Sequence, residues 1–138
     1  MKPLLALLLV LADDAQPADL VIRIDHIDNN AGQVLVALYD NAGSFPKLPL
    51  KNAVAPAQAG RTSVTFKDLP AGDYAFSVVH DVNGNDKVDR NLFGIPTEKY
   101  AFSNNALGRM GPPSFADVRL SLPAAGAAGS TALIRTRQ

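Results

Sequence analysis

Apolar and polar residues alternate with a period of two along several short segments of this 138-residue chain. This period is typical of a β-strand that buries one face and exposes the other. It is clearest over 61–67, where Thr62, Val64 and Phe66 alternate with polar residues. The pattern predicts strands at 19–27, 33–40, 61–67, 74–79 and 117–122, with a short edge strand near 53–58 and a final strand at 131–136.

Two short connections predict β-hairpins. Residues 29–32 (Asn-Asn-Ala-Gly) separate the first two strands, and residues 69–72 (Leu-Pro-Ala-Gly) separate the strands that carry Phe66 and Tyr74. Asn and Gly reach positive φ at low cost, so both segments favour tight turns. We therefore expect each pair of flanking strands to be neighbours in one sheet.

The remaining segments are irregular and rich in Gly and Pro. Residues 90–114 contain no alternating run and are predicted to form a long irregular flap that its own aromatic residues hold in place. A short helix capped by Ser114 is expected near 114–116. The whole pattern predicts an all-β chain, an antiparallel β-sandwich of about seven strands in a single domain at 19–138.

The N-terminus predicts export. Lys2 precedes the apolar run Leu4–Leu11, and small residues follow, which is the order of a signal peptide with cleavage after Ala12, Ala15 or Ala18. The run is far shorter than the roughly 18–20 residues of a membrane span. We therefore expect a leader at 1–18, no membrane span, and a periplasmic or secreted protein.

Composition excludes several functions. The chain has no cysteine, so disulfide and thiolate chemistry are absent. Its 13 basic and 13 acidic residues give a formal net charge of zero, which provides no electrostatic footprint for nucleic acid.

The most specific candidate site follows the strand at 74–79. Oxygen-bearing groups recur at odd positions of a loop, in the spacing of a calcium loop: Asp81, Asn83, Asn85, the main-chain carbonyl of Lys87, and Asp89. Asp86 occupies the position of a calcium loop that usually holds Gly. Leu92 occupies the position of the bidentate carboxylate, so either Glu98 would have to fold back or water would complete the coordination of the ion. Two carboxylates predict a weak structural site, at about 10⁻⁴–10⁻³ M. The alternative is a series of Asx-turns without an ion.

Two other groups of residues suggest further chemistry. His80 and Asp81, with flap residues, could serve a hydrolase, although a partly buried, hydrogen-bonded His80 is the simpler interpretation. Tyr100, Phe102, Asn104 and Asn105 combine aromatic rings with amides, as carbohydrate-binding sites do. The alternative is that the rings only anchor the flap.

A family resemblance rests on five stretches: VALYD at 36–40, FP at 45–46, FKDLPAGDYAFSVVHDVNGNDKVD at 66–89, GIPTEKYAFSN at 94–104 and GPPSFADV at 111–118. Together they resemble an exported bacterial family, the domain of unknown function with the number twenty-one forty-one, over residues 19–122. The strand pair around Leu69-Pro70 is also similar to transthyretin-like sandwiches and carboxypeptidase regulatory domains. The resemblance implies a transthyretin-like sandwich with an immunoglobulin-like Greek key and an exported protein, and it implies no activity.

The sequence therefore predicts a small exported β-sandwich that is not an enzyme and acts as a binding or envelope structural module, with an envelope or glycan ligand. Calcium is the one cofactor that it suggests. A hydrolase and a carbohydrate-binding module are the alternatives.

Overall fold

The computed structural model describes residues 17–86, 88, 92, 98–108, 111–124 and 127–133. Within these ranges the chain forms eight strands, one short α-helix and a one-turn 3₁₀ helix at Ser103–Asn105. The strands are β1 (Ala18–Ile27), β2 (Gln33–Tyr39), β3 (Lys51–Pro56), β4 (Gly60–Leu69), β5 (Gly72–Asp81), β6 (Tyr100–Phe102), β7 (Leu120–Leu122) and β8 (Ala127–Leu133), and the helix α1 is Phe115–Val118.

The strands form two sheets, which confirms the predicted all-β sandwich. The smaller sheet has the order β4-β1-β8, and the larger has the order β3-β2-β5-β6, with β7 also paired to β5. The pairs are antiparallel except for β1 with β8, which run parallel.

The core lies between the sheets and follows the predicted alternation. Ile22 and Ile24 of β1 belong to the same core cluster as Phe76 and Val78 of β5, and all four are fully buried. Burial of one such side chain contributes roughly 1.5–3 kcal/mol, so this interleaved layer is the main source of stability. Further core residues are Leu20, Val34, Val36, Leu38, Val64, Phe66, Leu69 and Tyr74.

The two predicted hairpins are wrong. β1 pairs with β4 and β8, whereas β2 pairs with β3 and β5, so residues 28–32 cross from one sheet to the other. The 70–71 connection likewise links β4 of the smaller sheet to β5 of the larger. Both turns are present. Turn residues specify that the chain reverses direction, but they do not specify whether the next strand pairs with the preceding strand in one sheet or continues in the opposite sheet. Stacking buries both apolar faces at once.

The C-terminal part differs from the prediction in its boundaries. The helix capped by Ser114 is confirmed, since the Ser114 side chain accepts a hydrogen bond from the Asp117 amide. This helix takes the first residues of the strand predicted at 117–122, and the strand itself is Leu120–Leu122. The final strand is Ala127–Leu133, which begins earlier than predicted, and residues 134–136 lie outside the described residues.

The predicted flap is partly regular structure. Of residues 90–114, the structure describes 92, 98–108 and 111–114. Tyr100–Phe102 form β6 and pair with Ser77–Val79, because the edge of β5 offers unpaired backbone groups that the segment satisfies. The rest of the predicted flap lies outside the described residues.

The N-terminal predictions fall mostly outside the described residues, which begin at 17. Ala18, one of the three candidate cleavage positions, opens β1 and is 1% exposed. None of the helices that the structure describes has the length and apolar character needed to span a membrane.

Candidate functional site

The predicted ion loop begins where β5 ends. Asp81 is the last residue of β5 and lies opposite Gln33, the first residue of β2. Its side chain is fully inaccessible to solvent. A buried carboxylate is costly unless donors surround it, so the contacts of Asp81 decide what the site does.

Three N–H donors converge on the Asp81 carboxylate. Oδ2 accepts from Nε2 of Gln33 at 2.9 Å and from the amide of Asp86 at 2.8 Å, and Oδ1 accepts from the amide of Asn85 at 3.2 Å. The Gln33 Nε2 also donates to Oδ1 of Asp86 at 2.6 Å. These bonds fold residues 82–86 back onto the end of β5, with β2 as the second support.

Glu98 brings a second carboxyl group to the same place. It is 9% exposed, and its Oε2 accepts from the amide of Val82 at 3.1 Å. Its carboxyl group is also within hydrogen-bonding reach of Asp81. Where two carboxyl groups share one site, ionisation of one disfavours ionisation of the other, and a shared proton or a cation removes this penalty.

Hydrogen bonds control the pKa of Asp81. Burial alone would raise it, because desolvation disfavours the charged form. The bonds from Gln33, from the amides of Asp86 and Asn85, and the contact with Glu98 together outweigh burial and lower the pKa below its ordinary value. Asp81 is therefore charged at neutral pH.

The structure describes three of the five predicted calcium ligands. Asp81 is buried, whereas Asn83 and Asn85 lie in the exposed turn that follows, where Oδ1 of Asn83 accepts from the amide of Asn85 at 3.3 Å. Lys87 and Asp89 lie outside the described residues. Within the described ranges, no group of three or more His, Cys, Asp or Glu side chains is placed to share a metal ion. Calcium binding stays a prediction.

Two details of the loop agree with the sequence. Asp86 has φ of 62°, the left-handed conformation that a calcium loop requires at this position. Glu98 lies at the start of this turn, where it accepts from the Val82 amide, and this contact is compatible with both the calcium loop and the Asx-turn alternative. Gln33 was not predicted, since it lies 48 positions away and no local pattern marks it.

His80 is buried and hydrogen-bonded, as the simpler interpretation predicted. It is 2% exposed, and its Nε2 lies 2.8 Å from the carbonyl oxygen of Ala31. Its backbone amide donates to the carbonyl of Lys99 at 2.9 Å. His80 thus ties the 28–32 connection and the segment before β6 to the end of β5. The hydrolase alternative stays a prediction.

The predicted carbohydrate-binding residues lie on and after β6. Phe102 is half-buried and packs edge-on against Phe45, with ring centroids 5.8 Å apart, and Tyr100 packs against Phe102 at the same separation. The Asn104 amide donates to the carbonyls of Asp117 and Arg119 at 3.2 and 3.0 Å. Asn105 is half-buried with φ of 52°. The Tyr100 and Phe102 rings make internal contacts, as the anchoring alternative expects, and glycan binding stays a prediction.

Ser103 has a structural role that the sequence did not indicate. Ser103 is fully buried. Its Oγ accepts a hydrogen bond from the amide of Phe76 at 3.0 Å and donates one to the carbonyl of Val118 at 2.5 Å. Phe76 lies between the part of β5 that pairs with β6 and the part that pairs with β7. The serine therefore supplies the hydrogen bond that neither short strand provides.

The fold and this site define a small all-β sandwich in which a buried polar cluster closes one end of the larger sheet. A family model described as "uncharacterized protein conserved in bacteria" (DUF2141) matches residues 22–128, and the chain belongs to this family. The comparisons with curated proteins and with solved structures each found no match.

Proposed function

We propose that this protein is an exported, non-enzymatic β-sandwich that acts as a binding or structural module of the bacterial envelope. One observation carries the proposal. Three side chains of the described residues that have acid–base or nucleophilic groups, His80, Asp81 and Ser103, are buried and bonded to groups of their own fold. A general base must reach the proton of a substrate, and these groups face the protein instead.

Burial also bears on the proposed export. A cut after Ala18 would remove a buried residue that pairs with Leu69, whereas a cut after Ala12 or Ala15 leaves β1 complete. The proposed signal peptide therefore ends at Ala12 or Ala15. This choice keeps the pairing of β1 with β4 intact.

Fractionation of the producing bacterium tests this proposal. We expect the protein in the periplasm, envelope or medium, with a new N-terminus at residue 13 or 16 by mass spectrometry. An intact Met1 in the cytoplasm would refute export. An envelope-polymer and glycan array, with Tyr100→Ala as the variant and Leu107→Ala as an exposed control, tests binding through the β6 surface.

A second proposal concerns calcium and rests on the contact between the Asp81 and Glu98 carboxyl groups. A divalent cation is a natural partner for two buried carboxylates, and carbonyl and amide oxygens of the following turn can add ligands. Such an ion would stabilise the fold and hold the turn to β5. It would have no catalytic role.

Thermal unfolding in calcium and in chelator tests the calcium proposal. For a weak site, calcium at about 10–100 times the dissociation constant adds about 1.4–2.7 kcal/mol, a shift of several degrees. Asp81→Asn should abolish the shift. Asp68→Asn is the matched control, since Asp68 is exposed and its φ of 57° suits Asn equally well. Equal melting temperatures of the wild type in calcium and chelator would remove the proposal.

A further inference from the structure

The connection between β2 and β3 presents an apolar tip to solvent. Leu48 is 72% exposed and Leu50 is 48% exposed, and the exposed Lys47 and Lys51 flank them. We call these four residues the leucine tip. They lie within five consecutive positions, so their side chains occupy one small region of the surface.

Hydrogen bonds hold the tip in place. The amides of Lys47 and Leu48 both donate to the carbonyl of Ser44 at 2.8 Å, and the amide of Leu50 donates to the carbonyl of Leu38 at 2.7 Å. The Tyr39 hydroxyl donates to the carbonyl of Pro46 at 2.8 Å. An ordered turn that exposes two leucines separated by one residue marks an interaction site more strongly than scattered surface leucines do.

The two charged residues of the tip itself are both basic. Lys47 and Lys51 are the charged residues of segment 41–60, which contains no acidic residue, and the exposed Asp40 directly precedes this segment. Arg61 is paired with Asp25, and no ion pair involving Lys47 or Lys51 is found in the described part of the chain. An apolar tip with free basic flanks is complementary to an anionic surface that has an apolar layer beneath it.

We infer that the leucine tip docks on an anionic lipid surface, with the leucines at the boundary between headgroups and acyl chains and the lysines on the lipid phosphates. Apolar insertion and electrostatic attraction act together in such interfacial binding. Addition of a peptide strand to β3 is disfavoured, because Pro56 at the end of β3 lacks an amide donor and Lys51 at its start places a charge on the edge.

The tip lies far from the polar cluster. Tyr39, which ends β2, pairs with Ala75 near the start of β5, whereas Gln33 pairs with Asp81 at its end. Docking through the tip would therefore leave the opposite end of the larger sheet, including Asp81 and the turn after it, directed away from the lipid. The inference does not depend on the calcium proposal or on export.

Vesicle sedimentation tests the inference. The protein is expressed from the full-length gene, purified in the form that the cell retains, and mixed with vesicles of phosphatidylcholine alone or with a quarter of phosphatidylglycerol. We expect binding to the anionic vesicles that weakens with salt, and at least about a fivefold loss in Leu48→Asn/Leu50→Asn and in Lys47→Gln/Lys51→Gln. Leu107→Asn and Lys67→Gln are exposed controls that should bind like the wild type.

Each outcome decides the inference. The inference is overturned if both double variants bind as strongly as the wild type. The comparison stays valid even if the N-terminal apolar run adds the same background binding to every variant. Binding that is indifferent to phosphatidylglycerol also overturns the inference, as does capture by immobilised poly-glutamate without vesicle binding. Circular dichroism of each variant confirms folding, and the salt dependence of the wild type provides a test that needs no variant.

Discussion

The outward face of β5 is buried at both ends of the strand, but different kinds of groups cover it. Ala75, Ser77, Val79 and Asp81 point away from the main core, where simple alternation predicts exposure, yet Ala75, Val79 and Asp81 are buried. Aromatic rings cover the start of this face, and hydrogen-bonded polar groups cover its end. The difference shows that an outward strand position is exposed only if no distant segment folds over it.

The apolar end is a shared packing surface. Phe45 lies edge-on to Tyr39, Phe102 and Phe115, with centroid separations of 5.1, 5.8 and 6.2 Å, and the cluster includes Ala75 and Val118. Contacts of this kind are weakly directional, so neighbouring rings can adjust to a change of shape.

The polar end depends on particular atoms. Asp81 accepts from Gln33, Asn85 and Asp86, and His80 holds Ala31. No buried side-chain nitrogen or oxygen lacks a partner in the part of the chain that the structure describes. Loss of one partner leaves another buried group unsatisfied, so we expect the polar end to tolerate substitution less well.

Gly32→Ala should have the largest effect. Gly32 has φ of +68°, and a Cβ there would lie 2.1 Å from the Asp81 carbonyl oxygen and 2.5 Å from that of Val82. The 28–32 connection would have to move away from β5, which breaks the polar end. We expect a loss of more than about 3 kcal/mol in the free energy of unfolding by urea denaturation.

Gly84→Ala is the matched control, because its φ of +67° is the same and a Cβ there meets nothing within 4 Å. It should cost only the backbone strain, about 1–2 kcal/mol. Equal losses in the two variants would show that the close approach to β5 has no energetic weight.

Asp81→Asn should cause the second largest loss of stability, and Phe45→Leu is the corresponding change at the apolar end. The asparagine has nearly the same shape, but its amide nitrogen must face either the Asn85 amide or the donors of Gln33 and Asp86. We expect a loss of about 2 kcal/mol in chelator, against about 1 kcal/mol for Phe45→Leu. A smaller loss at Asp81 than at Phe45 would reverse the comparison.

Ser103→Ala tests a polar group inside the apolar end. The change leaves the Phe76 amide without its partner in the gap between β6 and β7, so we expect a loss of about 1–2 kcal/mol by chemical denaturation. Ser63→Ala, at an exposed position of β4, should stay within about 0.5 kcal/mol of the wild type. If the two variants match, the Ser103 bond is not a structural requirement.

Tyr39→Phe should have the smallest effect at neutral pH and a clear effect in alkali. Burial raises the pKa of Tyr39, with a smaller opposing effect from a hydrogen bond to Ser77. Above the ordinary tyrosine pKa of about 10 the unfolded chain loses this proton first, so stability falls as pH rises through that value. Urea midpoints measured from about pH 8 to about pH 11 should fall less steeply in Tyr39→Phe, and equal slopes would contradict burial of the hydroxyl.

The sequence predicted the buried face of each main strand because one-sided burial imposes a period of two. Leu20, Ile22 and Ile24 of β1 and Val34, Val36 and Leu38 of β2 are buried as expected. It failed on which strands pair, since residues 29–32 and 69–72 encode turns without encoding the sheet in which the chain continues. β6 was missed because three residues are too few to show a period.

The site was predictable only where it is local. The spacing of Asp81, Asn83, Asn85 and Asp89 predicted a calcium loop or a series of Asx-turns, and the hydrogen bonds of Asn85 and the positive φ of Asp86 are compatible with both. Gln33 and Ser103 could not be assigned, because their partners lie 48 and 27 positions away and only the folded sheets bring them together.

Asp81 is a structural anchor that fastens the turn after β5 to β2. A double-mutant cycle with Gln33→Ala and Asp81→Ala, followed by urea unfolding in chelator, tests this most directly. We predict that the two changes together cost at least about 1 kcal/mol less than the sum of the single changes, because each removes the same buried contact. Strictly additive losses would contradict the anchor.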